Sequence, residues 1–284
     1  MATHAKSHQN MKTITSTPSI KAHWLSDIHL DQASDQQCNL LLEKITSTES
    51  DCLVVSGDIS KATKLLDHLS LLAAACAPNK VFFVTGNHDY HGGNIRDVES
   101  HVNALCTAID NLHHIDGSQI IPLSRHVCLI GHRGWPDARA GYGQHTVVDS
   151  PDRHVIEDFD GLTLSQSLEK MTMLGLESAR VIRHILPLAL TQYRHVVVLT
   201  HVPPFSEAAM YDNKPCGPTH SPHYVNQSFG MTINAIARAF PRRLITVLSG
   251  HTHHACMIHV RPNVIVRVGH ARTGMQGHCE VLEL

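Results

Sequence analysis

The sequence predicts an α/β fold with a parallel sheet whose strand ends carry the functional groups. Between residues 20 and 112, short apolar runs rich in valine alternate with segments of helical periodicity, which is the order expected of β-α-β units. In addition, five apolar runs along the chain end in a side chain that can bind a metal ion. Ligand sites in open α/β sheets lie outside the carboxyl ends of the strands, so we expect these five ends to meet at one cleft.

The central apolar run covers residues 53–56 and is followed by Gly57 and Asp58. A short run of this kind, closed by a turn signal, is typical of a buried central strand, which places Asp58 just past the strand end. The other four runs occupy residues 23–27, 81–87, 196–201 and 244–251. We therefore take Asp58 as the centre of the predicted site.

The composition is that of a globular protein without a nucleic-acid or membrane signature. Of the 284 residues, 42% are hydrophobic and 17% are charged, which excludes a disordered chain and allows one large α/β domain. The formal net charge of −2 gives no basic track for nucleic acid, and no stretch approaches the roughly 18 to 20 apolar residues of a membrane span. Histidine is the outlier, with 25 residues, and only the histidines at strand ends are interpreted as functional.

Domain organisation is predicted from the irregular stretches. Residues 1–18 are polar and lack the apolar centre of a signal peptide, so we expect a flexible tail followed by a single domain over residues 19–284. Irregular stretches at about residues 131–161 and 203–230 are predicted to form a cap or lid, because polar loops of this length usually cover a site. The 8 cysteines are scattered singly, which favours a reduced, cytoplasmic protein.

Polar side chains are expected to continue two of the strands. The first strand is predicted at residues 20–26, and Asp27 and His29 would extend it with both side chains on one face, because strand side chains alternate. The same alternation is expected of His251 and His253. Asp27 and His29 could then bind one ion, and His251 and His253 would face one side.

Helix and turn signals follow the first strands. Ser34 or Asp35 is the expected N-cap of the first helix and Ser60 that of the second, which Pro78 ends. Gly86 is expected to adopt a positive φ that lets the next two side chains turn into the cleft. The remaining predicted elements are a helix with one apolar face over residues 98–112, strands at 120–121 and 127–130, a long helix at about 163–190 that is bent or broken near Gly175 and Pro187, a short helix at about 232–240, an antiparallel pair at 256–260 and 264–268, and a last strand at 280–284.

The strand-end groups form one set of metal-binding candidates with a neighbouring histidine, His88. Carboxylate, amide and imidazole ligands without a thiolate suit Mn²⁺, Fe²⁺, Zn²⁺ or Co²⁺. Seven ligands exceed the needs of one tetrahedral zinc and suit two ions that share a bridging carboxylate, for which Asp58 is the candidate. The set is Asp27, His29, Asp58, Asn87, His201, His251 and His253.

These motifs, taken in order, resemble those of the calcineurin-like metallophosphoesterases. The resemblance rests on D-x-H at Asp27, G-D at Gly57, G-N-H-D at Gly86, the lone strand-end His201 and G-H-T-H at Gly250, and it spans residues 27 to 253. It implies a four-layer α/β/β/α sandwich with two mixed sheets and a dinuclear metal site at the strand ends.

The resemblance also implies the roles of the residues and the reaction. One ion would be held by Asp27, His29, Asp58 and His253, and the other by Asp58, Asn87, His201 and His251. His88 would be the catalytic acid that protonates the leaving alkoxide, or would lie against the phosphate. The implied reaction is hydrolysis of a small phosphodiester or phosphomonoester by in-line attack of a hydroxide that bridges the two ions.

Differences from the motifs of the family's protein phosphatases narrow the predicted type of substrate. Protein Ser/Thr phosphatases of this family carry G-D-x-x-D-R-G and G-N-H-E, whereas this chain has Lys61 where their second aspartate stands and Asp89 after the histidine. The carboxylate that would orient the histidine acid is therefore missing at Lys61. This pattern favours the bacterial-type phosphodiesterase and phosphohydrolase branch.

The sequence offers two alternative functions and several candidate substrate-binding residues. A non-catalytic protein-interaction scaffold would require lost ligands, yet all seven are present, and a nuclease would require a basic track. Arg133 and Trp135 are the candidate substrate-binding residues, because they lie in the first insertion just after a strand. Tyr142 and Tyr211 are further candidates, and for all four residues ordinary packing of a loop on the sheet edge is an equal interpretation. His132 or Arg133 is expected near the metals, because it follows the strand at residues 127–130. Nothing in the sequence predicts the oligomeric state.

Overall fold

The computed structural model describes residues 19–212, 214–271 and 277–284. The tail predicted at residues 1–18 lies outside the described residues. The first half of the chain forms β1 (Lys21–Ser26), α1 (Asp35–Ser47), β2 (Cys52–Ser56), α2 (Ala62–Cys76), β3 (Lys80–Val84), α3 (Ile95–Ala108) and β4 (Leu112–His114).

The second half contains the two irregular insertions and one long helix. Its elements are β5 (Ile121–Pro122), β6 (Val127–Gly131), α4 (Asp152–Val155), α5 (Leu164–Gln192), β7 (His195–Leu199), β8 (Met210–Tyr211), β9 (Lys214–Pro215), α6 (Ser221–Tyr224), α7 (Gln227–Ala239), β10 (Leu244–Ser249), β11 (Cys256–Arg261), β12 (Val264–Val268) and β13 (His278–Glu283). Within the described residues, no helix has both the length and the apolarity needed to cross a bilayer.

Two mixed sheets form the centre of the fold. The first has the order β13-β1-β2-β3-β4, in which only β13 is antiparallel to its neighbour. The second has the order β11-β12-β10-β7-β6-β5, with the parallel strands β12, β10, β7 and β6 flanked by antiparallel edge strands. The predicted α/β architecture with two mixed sheets is confirmed.

Alternating strand side chains divide the core into layers. In β2, Leu53 and Val55 pack toward the helices α1 to α3, whereas Val54 packs between the two sheets against residues such as Leu199 of β7. A further apolar cluster fills the space between the second sheet and the helices α5 and α7. The order of layers is therefore helices, sheet, sheet, helices.

Three local predictions were wrong for identifiable reasons. Ser60 is not the N-cap of α2, because its backbone N–H donates to Asp89 and the helix begins after Lys61. Leu112 does not end the third helix but begins the short strand β4. Of the predicted bend or break near Gly175 and Pro187, the break is contradicted, because the helix α5 continues through both residues.

Gly86 is required for close approach rather than for a left-handed backbone. Its φ does not lie in the positive range, contrary to the prediction. A Cβ atom at Gly86 would instead lie against the Asp58 carboxylate, 2.6 Å from the Asp58 backbone nitrogen and 2.8 Å from Nε2 of His201. The glycine therefore lets the loop after β3 pack directly on the loop after β2.

We predict that Gly86→Ala lowers the free energy of unfolding by about 1–3 kcal/mol, because the added methyl group would collide with the Asp58 backbone nitrogen and with the buried side chains of Asp58 and His201. Denaturant unfolding followed by circular dichroism measures this. Gly217→Ala is the control, since a Cβ at Gly217 would meet no atom within 4 Å. Equal losses in the two variants would show that the close approach at Gly86 is unimportant.

Candidate metal centre

Left-handed turns, rather than strand alternation, point the candidate ligands inward. The strands β1, β2 and β10 end at Ser26, Ser56 and Ser249, and the ligand residues follow in the loops. Five of the seven non-glycine residues with positive φ in the described chain are candidate ligands, and such residues store about 1–3 kcal/mol of strain each. They are Asp27 (φ 53°), His29 (φ 40°), Asp58 (φ 52°), His251 (φ 70°) and His253 (φ 59°).

Asp27, His29, Asp58 and His253 form a compact donor group. One ligand atom from each lies within 4.8 Å of the others. Nε2 of His29 is 3.2 Å from Nε2 of His253 and 3.7 Å from Oδ2 of Asp58. Two carboxylates and two imidazoles that converge in this way fit a borderline divalent cation.

His201 lies on the opposite side of Asp58. Its Nδ1–H donates to the carbonyl oxygen of Ser56 at 2.8 Å, so that Nε2 carries the free lone pair in the neutral ring. Nε2 lies 3.3 Å from Oδ1 of Asp58 and 3.1 Å from Oδ1 of Asn87. The two oxygens of Asp58 therefore face different groups of donors.

His251 completes this second group. Its Nε2–H donates to the carbonyl oxygen of His223 at 2.9 Å, which leaves Nδ1 as the unprotonated nitrogen. The His251 ring centroid lies 5.1 Å from that of His201. The backbone N–H of His251 also donates to Oδ1 of Asp27 at 2.8 Å, so the two donor groups are tied together.

The electrostatics of the cluster favour ligation. Burial would raise the pKa of Asp58, but His201 beside it holds that pKa well below its usual range. Burial would lower the pKa of His201, yet the Asp58 carboxylate raises it to about 9. Burial lowers the pKa of His29, and burial together with His201 lowers that of His251 to about 4, so both rings are neutral at pH 7. A cation that binds Asp58 and His201 must therefore displace the proton of His201.

Asp89 links the loops after β2 and β3. Its carboxylate accepts from the backbone N–H groups of Gly86 at 2.7 Å and of Ile59 and Ser60 at 2.8 Å each. Burial and the charge of Asp58 raise the pKa of Asp89 to about 7, against the backbone N–H groups of Gly86 and Ser60, which lower it. In the sequence, Asp89 was notable only because the protein phosphatases have glutamate at this place in the motif. In the structure, it holds the two loops that carry Asp58 and Asn87 in place.

His88 stands beside the first donor group with its own carboxylate partner. Its Nε2–H lies 3.2 Å from Oδ2 of Asp31, and its ring meets that of His29 edge to face at 4.6 Å. Burial opposes the charged form, but Asp31 and Asp58 raise the pKa of His88 above its ordinary value. Asp31 thus supplies, from the loop after β1, the carboxylate that Lys61 does not provide.

The donor groups open into a cavity of about 350 Å³ whose far wall comes from the two insertions. In the first insertion, Asp152 accepts from Nδ2 of Asn87 at 3.0 Å and from Nε2 of His91 at 2.8 Å. The first of these bonds fixes the Asn87 amide so that its oxygen faces His201. The sequence motifs did not identify either Asp152 or His91 as part of this site. The other insertion residues at the wall are Val148, Asp149, Ser150, Pro151, His223 and Tyr224.

Arg133 and Trp135 do not line this cavity. The Arg133 guanidinium forms ion pairs with Glu99 and Glu177 on another face of the molecule. Trp135 is 2% exposed and packs against Tyr90 and against Phe159 in the core. Because both side chains are engaged elsewhere, neither contacts a ligand bound between the donor groups. His132, Tyr142 and Tyr211 also lie outside the cavity lining.

Comparisons with known proteins agree with the fold and the motifs. The family model described as calcineurin-like phosphoesterase matches residues 20–255. A dimetal phosphatase from Danio rerio has a similar structure, with a TM-score of 0.58 and 11% identity over 94% of this chain and 93% of that chain. The protein TT1561 of Thermus thermophilus gives a TM-score of 0.55 and 9% identity over 93% of this chain and 99% of that chain. No curated protein gave a significant match.

We predict that Asp89→Asn destabilises the protein by about 1–3 kcal/mol, because the amide replaces one acceptor oxygen with a donor that faces a backbone N–H. Denaturant unfolding at pH 8, where the wild-type carboxylate is ionised, measures the loss. Asp110→Asn, at an exposed position, is the control and should unfold like the wild type. An Asp89→Asn variant as stable as that control would contradict the linking role.

Proposed function

Because the chain belongs to the calcineurin-like phosphoesterase family, we propose that it is a dinuclear metal-dependent hydrolase of a small phosphodiester. The observation that carries the proposal is the position of Asp58 between two groups of donors, His29 on one side at 3.7 Å and His201 on the other at 3.3 Å. A single carboxylate with donors on both sides is the geometry that a binuclear centre requires.

We assign the ligands to two ions that share Asp58. The first set adds Asp27, His29 and His253, and the second adds Asn87, His201 and His251. Two divalent ions bound there would lower the pKa of a water held between them and neutralise the charge that develops on the phosphoryl oxygens. The donor chemistry suits manganese, iron, zinc or cobalt.

His88 is the proposed general acid. Its Nε2–H is held by Asp31, and His88 itself lines the cavity beside the first donor group. As the phosphorus–oxygen bond breaks, the leaving alkoxide would take the Nδ1 proton of the charged His88 ring, while Asp31 keeps the Nε2–H and stabilises the charged form before the transfer. The His88–Asp31 pair would take the place of the histidine–aspartate pair of the protein phosphatases, whose aspartate stands at the position of Lys61.

A diester is the preferred substrate for electrostatic reasons. None of the described residues that line the cavity is lysine or arginine, whereas Asp149 and Asp152 do line it. A phosphomonoester carries about two negative charges at neutral pH and gains more from cationic side chains than a singly charged diester does. The departures from the protein phosphatase motifs support the same preference.

The cysteines support a cytoplasmic location for this activity. All eight are free thiols, and three of them, Cys52, Cys76 and Cys128, have pKa values that burial raises to about 12. Thiols of this kind are inert core residues and need no oxidising compartment.

We predict that Asp58→Asn lowers kcat for bis(p-nitrophenyl) phosphate about a thousandfold or more, because the neutral amide cannot bridge two cations. Chelated wild type should regain activity with Mn²⁺, and elemental analysis should give about two ions per wild-type chain and fewer per variant chain. Asp67→Asn, at an exposed position of α2, is the control. A wild type that binds no metal and hydrolyses nothing would instead favour the non-catalytic scaffold.

We also predict that Asp31→Asn discriminates between leaving groups. For a dialkyl phosphate, whose leaving alkoxide needs a proton, kcat should fall about tenfold or more, whereas for methyl p-nitrophenyl phosphate it should fall much less, because nitrophenolate leaves without protonation. Steady-state kinetics with both substrates and Asp35→Asn as the exposed control measure the effect. An equal loss on both substrates would assign Asp31 to metal binding rather than to the acid.

A further inference from the structure

Part of the first insertion is fastened to the loop that follows β3. The backbone N–H of Gly92 donates to the carbonyl of Val155 at 2.7 Å, and that of Glu157 donates to the carbonyl of Gly93 at 3.0 Å. Between these two bonds, Ile156 is 1% exposed and belongs to the apolar cluster that the first sheet forms with α1 to α3. This stretch of the insertion, which begins with α4, is therefore held in a fixed position against the loop after β3.

The first residue of α4, Asp152, holds two side chains of that loop with one carboxylate oxygen. Its Oδ1 accepts from Nδ2 of Asn87 at 3.0 Å and from Nε2–H of His91 at 2.8 Å. The side chains of His91 and Asp152 are only 19% and 20% exposed, so these hydrogen bonds are largely shielded from water. The carboxylate is thus fixed both by its own helix and by His91, and it faces Asn87 in one direction.

This contact determines which end of the Asn87 amide faces the second donor group. An asparagine can bind a cation only through its amide oxygen, because the NH₂ group is a donor. The two ends of an amide are similar in size, so a free side chain could present either one. The Asp152 carboxylate only accepts hydrogen bonds and pairs with the NH₂ end, which directs Oδ1 of Asn87 to within 3.1 Å of Nε2 of His201.

We propose that Asp152 is a positioning residue that sets the affinity of the second ion, an inference that rests on the proposed dinuclear function and deepens it. The carboxylate holds Asn87 in the orientation that can bind a cation before the cation arrives. The first insertion would then be part of the metal centre without supplying a ligand. Among the described residues, Asp152 forms no hydrogen bond with a ligand assigned to the first ion, so its effect should be confined to the second.

Titration of the metal-free protein with Mn²⁺, followed by electron paramagnetic resonance, tests the proposal. The signal of free Mn²⁺ gives the two dissociation constants, and spin coupling between bound ions reports a complete pair. In Asp152→Ala, one constant should rise about tenfold or more, as is typical when a metal ligand loses its hydrogen-bond partner, while the other stays unchanged. Spin coupling should then require a higher Mn²⁺ concentration. The unchanged constant also shows that the variant is folded.

Asp152→Asn separates position from charge, because its amide keeps an acceptor oxygen and carries no charge. This variant should bind the second ion more tightly than Asp152→Ala does. Asp149→Ala is the matched control, since Asp149 lines the same cavity but pairs with Arg153 and His154 instead of a ligand loop. It should bind Mn²⁺ like the wild type.

Three results would overturn the proposal: unchanged constants in Asp152→Ala, an equal rise of both constants, or a loss in Asp152→Asn as large as that in Asp152→Ala. In each case a wild type that binds two coupled ions leaves the proposed function standing. A wild type that binds fewer than two Mn²⁺ ions would contradict the dinuclear function itself, and this inference with it.

Discussion

The structure depends on one constraint, which is that loops from both sheets must meet at the Asp58 carboxylate. The ends of β1, β2, β3, β7 and β10 lie at the same edge of the sandwich, and the chain turns into a left-handed conformation at Asp27, Asp58 and His251 just beyond them. Such turns are costly for residues with side chains. Their concentration at this edge shows that the surrounding packing maintains strain where the donors converge, as is typical of functional sites.

The centre is supported by carboxylates that are not themselves candidate ligands. Asp89 joins the loops after β2 and β3, Asp31 holds His88, and Asp152 orients Asn87. Each fixes the direction in which a neighbouring group presents its lone pair or its proton. The two insertions contribute to the same arrangement, since Asp152 comes from the first and the carbonyl of His223, which holds His251, comes from the second. The proposed metal ligands and the proposed acid His88 are thus held by hydrogen bonds that reach both insertions.

The α/β class and the donors at the strand ends could be predicted from sequence because both follow from local patterns. Valine-rich runs identify buried strands, and a polar residue after such a run must lie at the sheet edge. The sequence analysis explained Gly86 by a positive φ, whereas the structure requires a glycine because the loop after β3 lies close against Asp58. That contact joins two loops that are distant in sequence, so no local pattern indicates it. Arg133 was misplaced because its position after β6 does not reveal the ion pairs with Glu99 and Glu177 that draw it away. Irregular insertions have no periodicity, so Asp152 could be found only in three dimensions.

Anomalous diffraction tests most directly whether two ions share Asp58. Crystals equilibrated with Mn²⁺ and measured at the manganese absorption edge should show two anomalous peaks, roughly 3.5–4 Å apart, with one oxygen of Asp58 directed to each. One peak between Asp27 and His253 with nothing beside His201 would reduce the centre to a single ion. Peaks away from Asp58 would contradict the account as a whole.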